Sequence, residues 1–215
     1  MPTVVIPAYN EAERIRGVIA ETLPYADELL IIDDGSSDNT ADVAEQAGAR
    51  VIQQPNSGYI AAVKNGFAEA NGDIVVTIDA DGEHAPADIP KLVEPIAADQ
   101  ADMVLGARQD IARPSERLIS FLTRLKANVR DTGTGMRAIR TNLARKLTLP
   151  GRCICGTSVL EPLSLGSRIR ERPINLRSLD KPRKIAWEHA AQLVYVLMWM
   201  LKKPPNKMLL FHSGT

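Results

Sequence analysis

Cysteine occurs only twice in the 215-residue sequence, at Cys153 and Cys155. An i, i+2 pair supports neither a disulfide framework nor a four-ligand zinc site, so reduced structural thiols in a cytoplasmic protein are expected. Histidine is also scarce: His84, His189 and His212 are scattered, and only His84 lies beside other polar chemistry. Aromatic residues make up 4% of the chain. No apolar run reaches the roughly 20 residues of a membrane-spanning helix. Met1-Pro2-Thr3 leads straight into an apolar run without a basic n-region, so no signal peptide is expected. Internal repeats and low-complexity tracts are absent. What is present is an ordinary soluble composition, 45% hydrophobic, long enough for one compact α/β domain with an appendage.

The formal charge is zero, yet the two signs are segregated. Up to Asp102 there are 5 Lys and Arg against 19 Asp and Glu, a net −14; from Met103 there are 21 against 7, a net +14. Halves of opposite sign point to an acidic, metal-holding half and a basic half facing an anionic partner, or to two halves that attract each other.

The most informative stretch is Ile74-Val75-Val76-Thr77-Ile78-Asp79-Ala80-Asp81-Gly82-Glu83-His84. Its first five residues have the β-prone, apolar character of a buried strand. The carboxylates that follow cannot stay inside a sheet, so they emerge at its carboxyl edge, where open α/β sheets bind ligands. Asp79, Asp81 and Glu83 can crowd oxygens around a hard divalent ion that holds a diphosphate, or form an acidic turn ahead of the next helix. Leu29-Leu30-Ile31-Ile32 likewise ends in Asp33-Asp34-Gly35-Ser36.

Around these lie further strands at Thr3 to Ile6, Arg50 to Gln53 and Met103 to Gly106. Helices are expected from Asn10, as N-cap with Glu13 completing a capping box, to Leu23, then over Thr40 to Gly48, Ile60 to Ala70 and Pro86 to Ala98. Strands alternating with helices predict a mostly parallel sheet with helical flanks. Past Arg108, Ser115 to Val129 is expected as a helix with Leu118, Leu122, Leu125 and Val129 on its apolar stripe. Asp131 to Arg137 is expected as a loop whose glycines permit close backbone approach, Ile169 to Leu176 as an edge strand interrupted by Pro173, and Arg177 to Lys184 as a basic loop. The last helix, Ile185 to Lys203, places Glu188, Gln192, Tyr195, Trp199 and Lys202 on one stripe and is otherwise almost wholly apolar. That excess fits a membrane interface, burial against the domain, or a homodimer.

Together these motifs resemble the family 2 glycosyltransferases with a GT-A fold, in particular their dolichyl-phosphate mannose synthase-like branch. The matching pieces are Val5 to Glu11, Ile32 to Asp38, Asn56-x-Gly58, Gly66-Phe67, Asp79-Ala80-Asp81, Gly106-Ala107-Arg108, Asp131 to Arg137 and Glu171 to Ile174, in the expected order. The resemblance implies a domain over 1–184, with a nucleotide-sugar and metal half at 1–108 and an acceptor half at 109–184. An amphipathic helix and tail follow at 185–215. It implies donor contacts at Pro7, Ala8, Tyr9, Glu11, Ile32, Asp34, Asp79, Ala80 and Arg108. Mg2+ or Mn2+ would sit on Asp81 and Glu83, where the family often has Gln, and Arg177 and Arg183 would lie beside the donor diphosphate and the acceptor phosphate. Two departures stand out: a short segment between Arg108 and Asp131, and Gly156-Thr157-Ser158 where relatives usually carry a carboxylate before a late helix.

The reaction expected is single, inverting displacement of a hexose from a nucleoside diphosphate onto a polyprenyl (dolichyl-type) phosphate, at the cytoplasmic face of a membrane. Nucleic acid is not an expected partner. Asp131 is the general base to test if the acceptor is instead a hydroxyl. A nucleotide-sugar-binding subunit without turnover is the competing non-enzymatic expectation, favoured by the missing carboxylate and opposed by the intact metal motif. A nucleotidyltransferase would need a glycine-rich basic loop after the first strand, and Pro7-Ala8-Tyr9-Asn10-Glu11 is neither.

Overall fold

The computed structural model describes residues 2–109, 111, 113–151, 153–177 and 186–201. Among them, seven strands form one sheet: β1 (Thr3–Ala8), β2 (Glu28–Asp33), β3 (Arg50–Gln53), β4 (Ile74–Thr77), β5 (Met103–Ala107), β6 (Arg137–Arg140) and β7 (Ile169–Pro173). The helices are α1 (Ala12–Thr22), α2 (Thr40–Gln46), α3 (Tyr59–Glu69), α4 (Ile89–Ala97), α5 (Pro114–Arg124), α6 (Thr141–Ala144), α7 (Thr157–Ser164) and α8 (Ala186–Leu201). The mostly parallel, helix-flanked sheet is the one expected.

Strands covered on both faces must be apolar throughout, and the twofold period of the strand sorts their side chains into two cores. Val4, Ile6, Leu29, Ile31 and Val76 pack with Ile15 and Ile19 of α1, Ala44 of α2, and Leu92 and Ile96 of α4. Their neighbours Val5, Leu30, Ile32 and Val75 face the other way, onto Val63 and Phe67 of α3, Leu143 of α6 and Val159 of α7. Each such side chain contributes about 1.5–3 kcal/mol on burial.

The sheet order is β3-β2-β1-β4-β6-β5-β7. β1 pairs in parallel with β2 on one side and β4 on the other, so the chain changes direction across the sheet at the β1–β4 boundary. Such a switch point leaves a crevice at the strands' carboxyl ends. β6 runs antiparallel to both neighbours, with Arg137 opposite Thr77 and Leu105. β7 pairs with β5 at the sheet's edge, as expected for a strand that ends in Pro173.

Three local expectations are corrected. Asn10 does not cap α1: it takes a left-handed φ of 54°, and its side-chain oxygen accepts from Ser37 N at 2.8 Å, so it ties the first loop to the second. α5 ends at Arg124 and buries Glu116, Ile119, Ser120 and Thr123, while Leu118, Phe121 and Leu125 are exposed. The buried carboxylate rotates the helix, because Glu116 accepts from Arg108 at 2.8 Å. In α8, Gln192 lies on the inward face, fully buried, and Val194, Leu197, Met198 and Leu201 are exposed. Arg183, Lys202 and Lys203 lie outside the described residues, as does most of the basic loop after Arg177.

Candidate active site

The crevice at the switch point holds a cavity of about 390 Å³. Pro7, Tyr9 and Glu11 reach it from the end of β1, and Asp79, Ala80 and Asp81 from the end of β4. Tyr59 comes from α3, Gly133 and Gly135 from the loop before β6, Arg113 and Glu116 from the start of α5, and Cys153, Ile154 and Cys155 from the segment before α7.

Local pairing explains why the first two loops hold still. Asn10 N donates to Ser36 Oγ at 2.9 Å, Glu11 N to Thr40 Oγ1 at 2.8 Å, and the Ser36 hydroxyl to Asp33. Asp34 is buried, and its oxygens accept from Gln54 Nε2 at 2.7 Å, Ser57 N at 2.9 Å and Gly58 N at 2.8 Å. The carboxylate expected at the donor thus builds the loop that starts α3 and sets Tyr59. Ala8 and Ile32 are likewise buried in the strands behind the cavity.

Asp79 is the hub. The Tyr59 hydroxyl donates to its Oδ1 at 3.1 Å, and His84 Nε2 lies 3.2 Å from its Oδ2. Burial would raise this carboxyl, but the hydrogen bond and charge of His84, helped by Tyr59, outweigh it and hold Asp79 below its ordinary value. Desolvation and the charge of Asp79 push the Tyr59 hydroxyl well above its ordinary value, which keeps it a donor. A Cβ on Gly135 would lie 2.0 Å from Asp79 Oδ2, so any side chain there would displace the Asp79 carboxylate.

Asp81 Oδ1 accepts from Glu83 N at 2.9 Å, closing the turn through Gly82. Glu83 is half-buried and does not line the cavity. Its carbonyl accepts from Arg177 N at 2.8 Å, so the chain after β7 runs beside this turn. The Arg177 guanidinium points elsewhere, onto Glu21 at 2.6 and 3.1 Å. Among the described residues, no group of three His, Cys, Asp or Glu side chains could hold a metal ion by itself. A carboxylate that faces the cavity, as Asp81 does, fits an ion of the Mg2+ type, which takes one or two carboxylates and completes its shell with phosphate oxygens and water.

A second polar cluster closes the cavity's far side. Arg108 donates to Asp131 at 2.6 Å and to Glu116 at 2.8 Å, and Arg113 shares Glu116 at 3.2 Å. Asp131 also accepts from Gly133 N at 3.0 Å, and burial, which would raise its carboxyl, is outweighed by Arg108. Arg108 does not line the cavity, whereas Arg113 does. Beneath the floor, Arg137 is buried, donating to Ser158 Oγ at 2.7 Å and Thr132 O at 2.9 Å, while its Nε finds no partner. Burial lowers this guanidinium from its ordinary value.

The expected residues Pro7, Tyr9, Glu11, Asp79, Ala80 and Asp81 are therefore brought together in one cavity, while Ala8, Ile32, Asp34, Glu83, Arg108, Asp131 and Arg177 stand behind or beside it. Tyr59, Arg113, Glu116 and the Cys153–Cys155 wall are absent from the sequence-level set. Only the glycines at 133 and 135 hinted at close approach.

Comparison with known proteins bears on this geometry. A family model described as glycosyl transferase family 2 matches residues 3–157. The undecaprenyl-phosphate 4-deoxy-4-formamido-L-arabinose transferase of Pseudomonas fluorescens is 37% identical over 160 residues, covering 66% of this chain and 47% of that protein. The protein of the same description from Shewanella sediminis is 29% identical over 234 residues, covering 99% of this chain and 70% of its own length. The chain thus spans about half the length of several of the curated relatives it matches. Among solved structures, glucosyl-3-phosphoglycerate synthase from Mycobacterium tuberculosis, in complex with Mn2+, UDP and phosphoglyceric acid, superposes with a TM-score of 0.78 at 24% identity. It covers 95% of this chain and 79% of that one, a likeness of fold and of the GT-A type.

Proposed function

This chain belongs to glycosyl transferase family 2, and on that premise we propose that it moves a sugar from a nucleoside-diphosphate donor to a polyprenyl phosphate at a membrane surface, inverting the anomeric carbon in a divalent-metal-dependent step. The observation that carries this reading is the cavity in which Asp79, Asp81, the glycine loop and Arg113 converge at the sheet's switch point. The names of the relatives, transferases acting on undecaprenyl phosphate, support the acceptor class.

Pro7, Tyr9 and Glu11 receive the nucleoside, and Asp79, fixed by Tyr59 and His84, meets the ribose side. Asp81, with Glu83 beside it in the same turn, would hold Mg2+ or Mn2+, whose charge would offset the negative charge that builds on the departing diphosphate. Arg113, sharing one carboxylate with Arg108, turns its guanidinium toward the acceptor phosphate. Such a monoester, with a second pKa of about 6, is already mostly dianionic at neutral pH and needs no base. A hydroxyl acceptor would need one, and Asp131, buried and bonded to Arg108, is poorly suited to supply it. Arg177 adds charge at the diphosphate when its pair with Glu21 opens, and Arg183 is carried forward in the same role.

The membrane side is formed by α5 and α8, which pack together and turn Leu118, Phe121, Leu125, Val194, Leu197 and Leu201 outward. Arg117 and Arg124 on α5 give that surface positive charge of the kind an anionic lipid interface attracts. The association proposed is peripheral; no helix among the described residues is long and apolar enough to cross a membrane.

The test is transfer to undecaprenyl phosphate in vesicles with Mn2+ or Mg2+, screening nucleotide-linked hexoses and arabinose derivatives. A hexosyl product is expected, and Asp81→Asn should cost about a hundredfold or more in rate. Efficient transfer to a free sugar would overturn the acceptor class. Nucleotide binding without release of the diphosphate from any donor would favour the binding-subunit reading.

A further inference from the structure

The cavity's Cys153–Ile154–Cys155 wall is held from behind by one side chain. Gln192 of α8 is fully buried, and its amide spans the wall's backbone: Oε1 accepts from Cys153 N at 3.3 Å, and Nε2 donates to Cys155 O at 3.2 Å and to Thr157 Oγ1 at 2.9 Å. The fit is tight, because a Cβ on Gly151, which has a φ of +108°, would lie 2.0 Å from Gln192 Oε1. One face of this short segment lines the candidate active site and the other carries α8, whose opposite side is the exposed apolar stripe. A polar side chain buried in an otherwise apolar contact costs free energy unless its hydrogen bonds fix a geometry that packing alone does not.

We infer that Gln192 is a positioning residue: it locks the pocket wall to α8, so that contact of α8 with a lipid surface sets the shape of the acceptor side of the cavity. The second clause rests on the membrane reading above; the first does not.

The chain supplies its own reporter, since its two cysteines are both on this wall. Both are buried, and the Cys153 thiol is raised above its ordinary value by its bond to Cys155 and by burial, so reaction with the thiol reagent DTNB requires local opening. Gln192→Leu keeps the bulk and removes the amide's hydrogen bonds to the wall. Labelling in solution should then accelerate about tenfold, the factor that corresponds to 1.4 kcal/mol. Thr157→Val, which removes one bond at nearly constant volume, should give a smaller acceleration and serves if Gln192→Leu does not fold. Leu92→Val, in the core on the sheet's other face, is the control for general loss of stability. UDP with Mn2+ should bind Gln192→Leu within about twofold of wild type, because the donor side is untouched.

Labelling of both wall variants at the wild-type rate, equal acceleration in Leu92→Val, or a parallel loss of UDP affinity would overturn the lock. Adding phosphatidylglycerol vesicles should change the labelling rate of wild type and leave that of Gln192→Leu unmoved. If wild type does not bind the vesicles, the membrane reading falls while the solution result still decides the lock. If it binds them without any change in labelling, the coupling between helix and wall is refuted.

Discussion

Asp34 shows how a residue can belong to a site without touching its ligand. Its oxygens hold three donors of the 54–58 loop, and that loop sets Tyr59, which in turn holds Asp79. Asp34→Ala leaves those donors without a partner and frees the start of α3 to move, so UDP affinity measured by calorimetry should fall about tenfold with or without metal. An unaltered affinity would separate this chain of contacts from binding. The sequence made Asp34 conspicuous as a carboxylate at a strand end, but it could not say whether the side chain faces a ligand or a loop. Asp79 and Asp81 were legible because a charge directly after a β-prone, largely apolar run has few places to go. Arg113 and Glu116 were not, since their place depends on Arg108 and Asp131, which meet only once β5 and the glycine loop are side by side.

Secondary structure was readable wherever apolar periodicity ran unbroken. The strand Arg50–Gln53 and the helices α1 to α3 stand within a residue or two of their expected bounds, and α4 starts three residues later than expected, after a 3-10 turn at Pro86–Asp88. β6 was missed because Arg137-Ala138-Ile139-Arg140 carries only two apolar residues, and its neighbours supply the burial that makes it a strand. α5 was seen but turned the wrong way, since a buried ion pair decided its orientation rather than its leucines. Between strands, Asp102 joins β5, β6 and β7: it accepts from Arg168 N at 2.8 Å, Arg168 Nη2 at 3.0 Å and Arg140 Nε at 3.2 Å. Burial would raise its carboxyl, but Arg168 and then Arg140 outweigh that and hold it below the ordinary value. A depressed carboxylate contributes stability above its unfolded-state value near 3.8, and that stability drains away as pH falls through the lower folded value. Asp102→Asn should therefore cost about 1–3 kcal/mol in urea unfolding at pH 7, and the gap to wild type should narrow only below about pH 4. A gap that stays constant down to pH 2 would exclude this linkage.

Across the whole molecule, opposite charges are gathered in successive halves, −14 up to Asp102 and +14 beyond it. If the basic half and the α5–α8 face meet anionic lipid, co-sedimentation with phosphatidylglycerol vesicles should weaken steeply between low and physiological salt, over which the screening length shrinks from about 30 to about 8 Å. Leu197→Ser with Met198→Ser should weaken it at every salt concentration. Salt-independent binding would point to the apolar face alone, and a salt-independent dimer lost in the same variant would assign that face to a second copy of the chain. The lone antiparallel strand has a consequence of another kind. β4 is finished at Thr77, but its second edge stays unpaired until β6 at Arg137–Arg140 has been made, about 60 residues later. At roughly 5–20 residues per second, a chain on the ribosome spends several seconds with that apolar edge open to any neighbouring strand. What has emerged by then is almost wholly the acidic half, so half-made chains on one message repel each other. If the charge segregation steers the finished protein to lipid, the same segregation would also keep half-made chains apart.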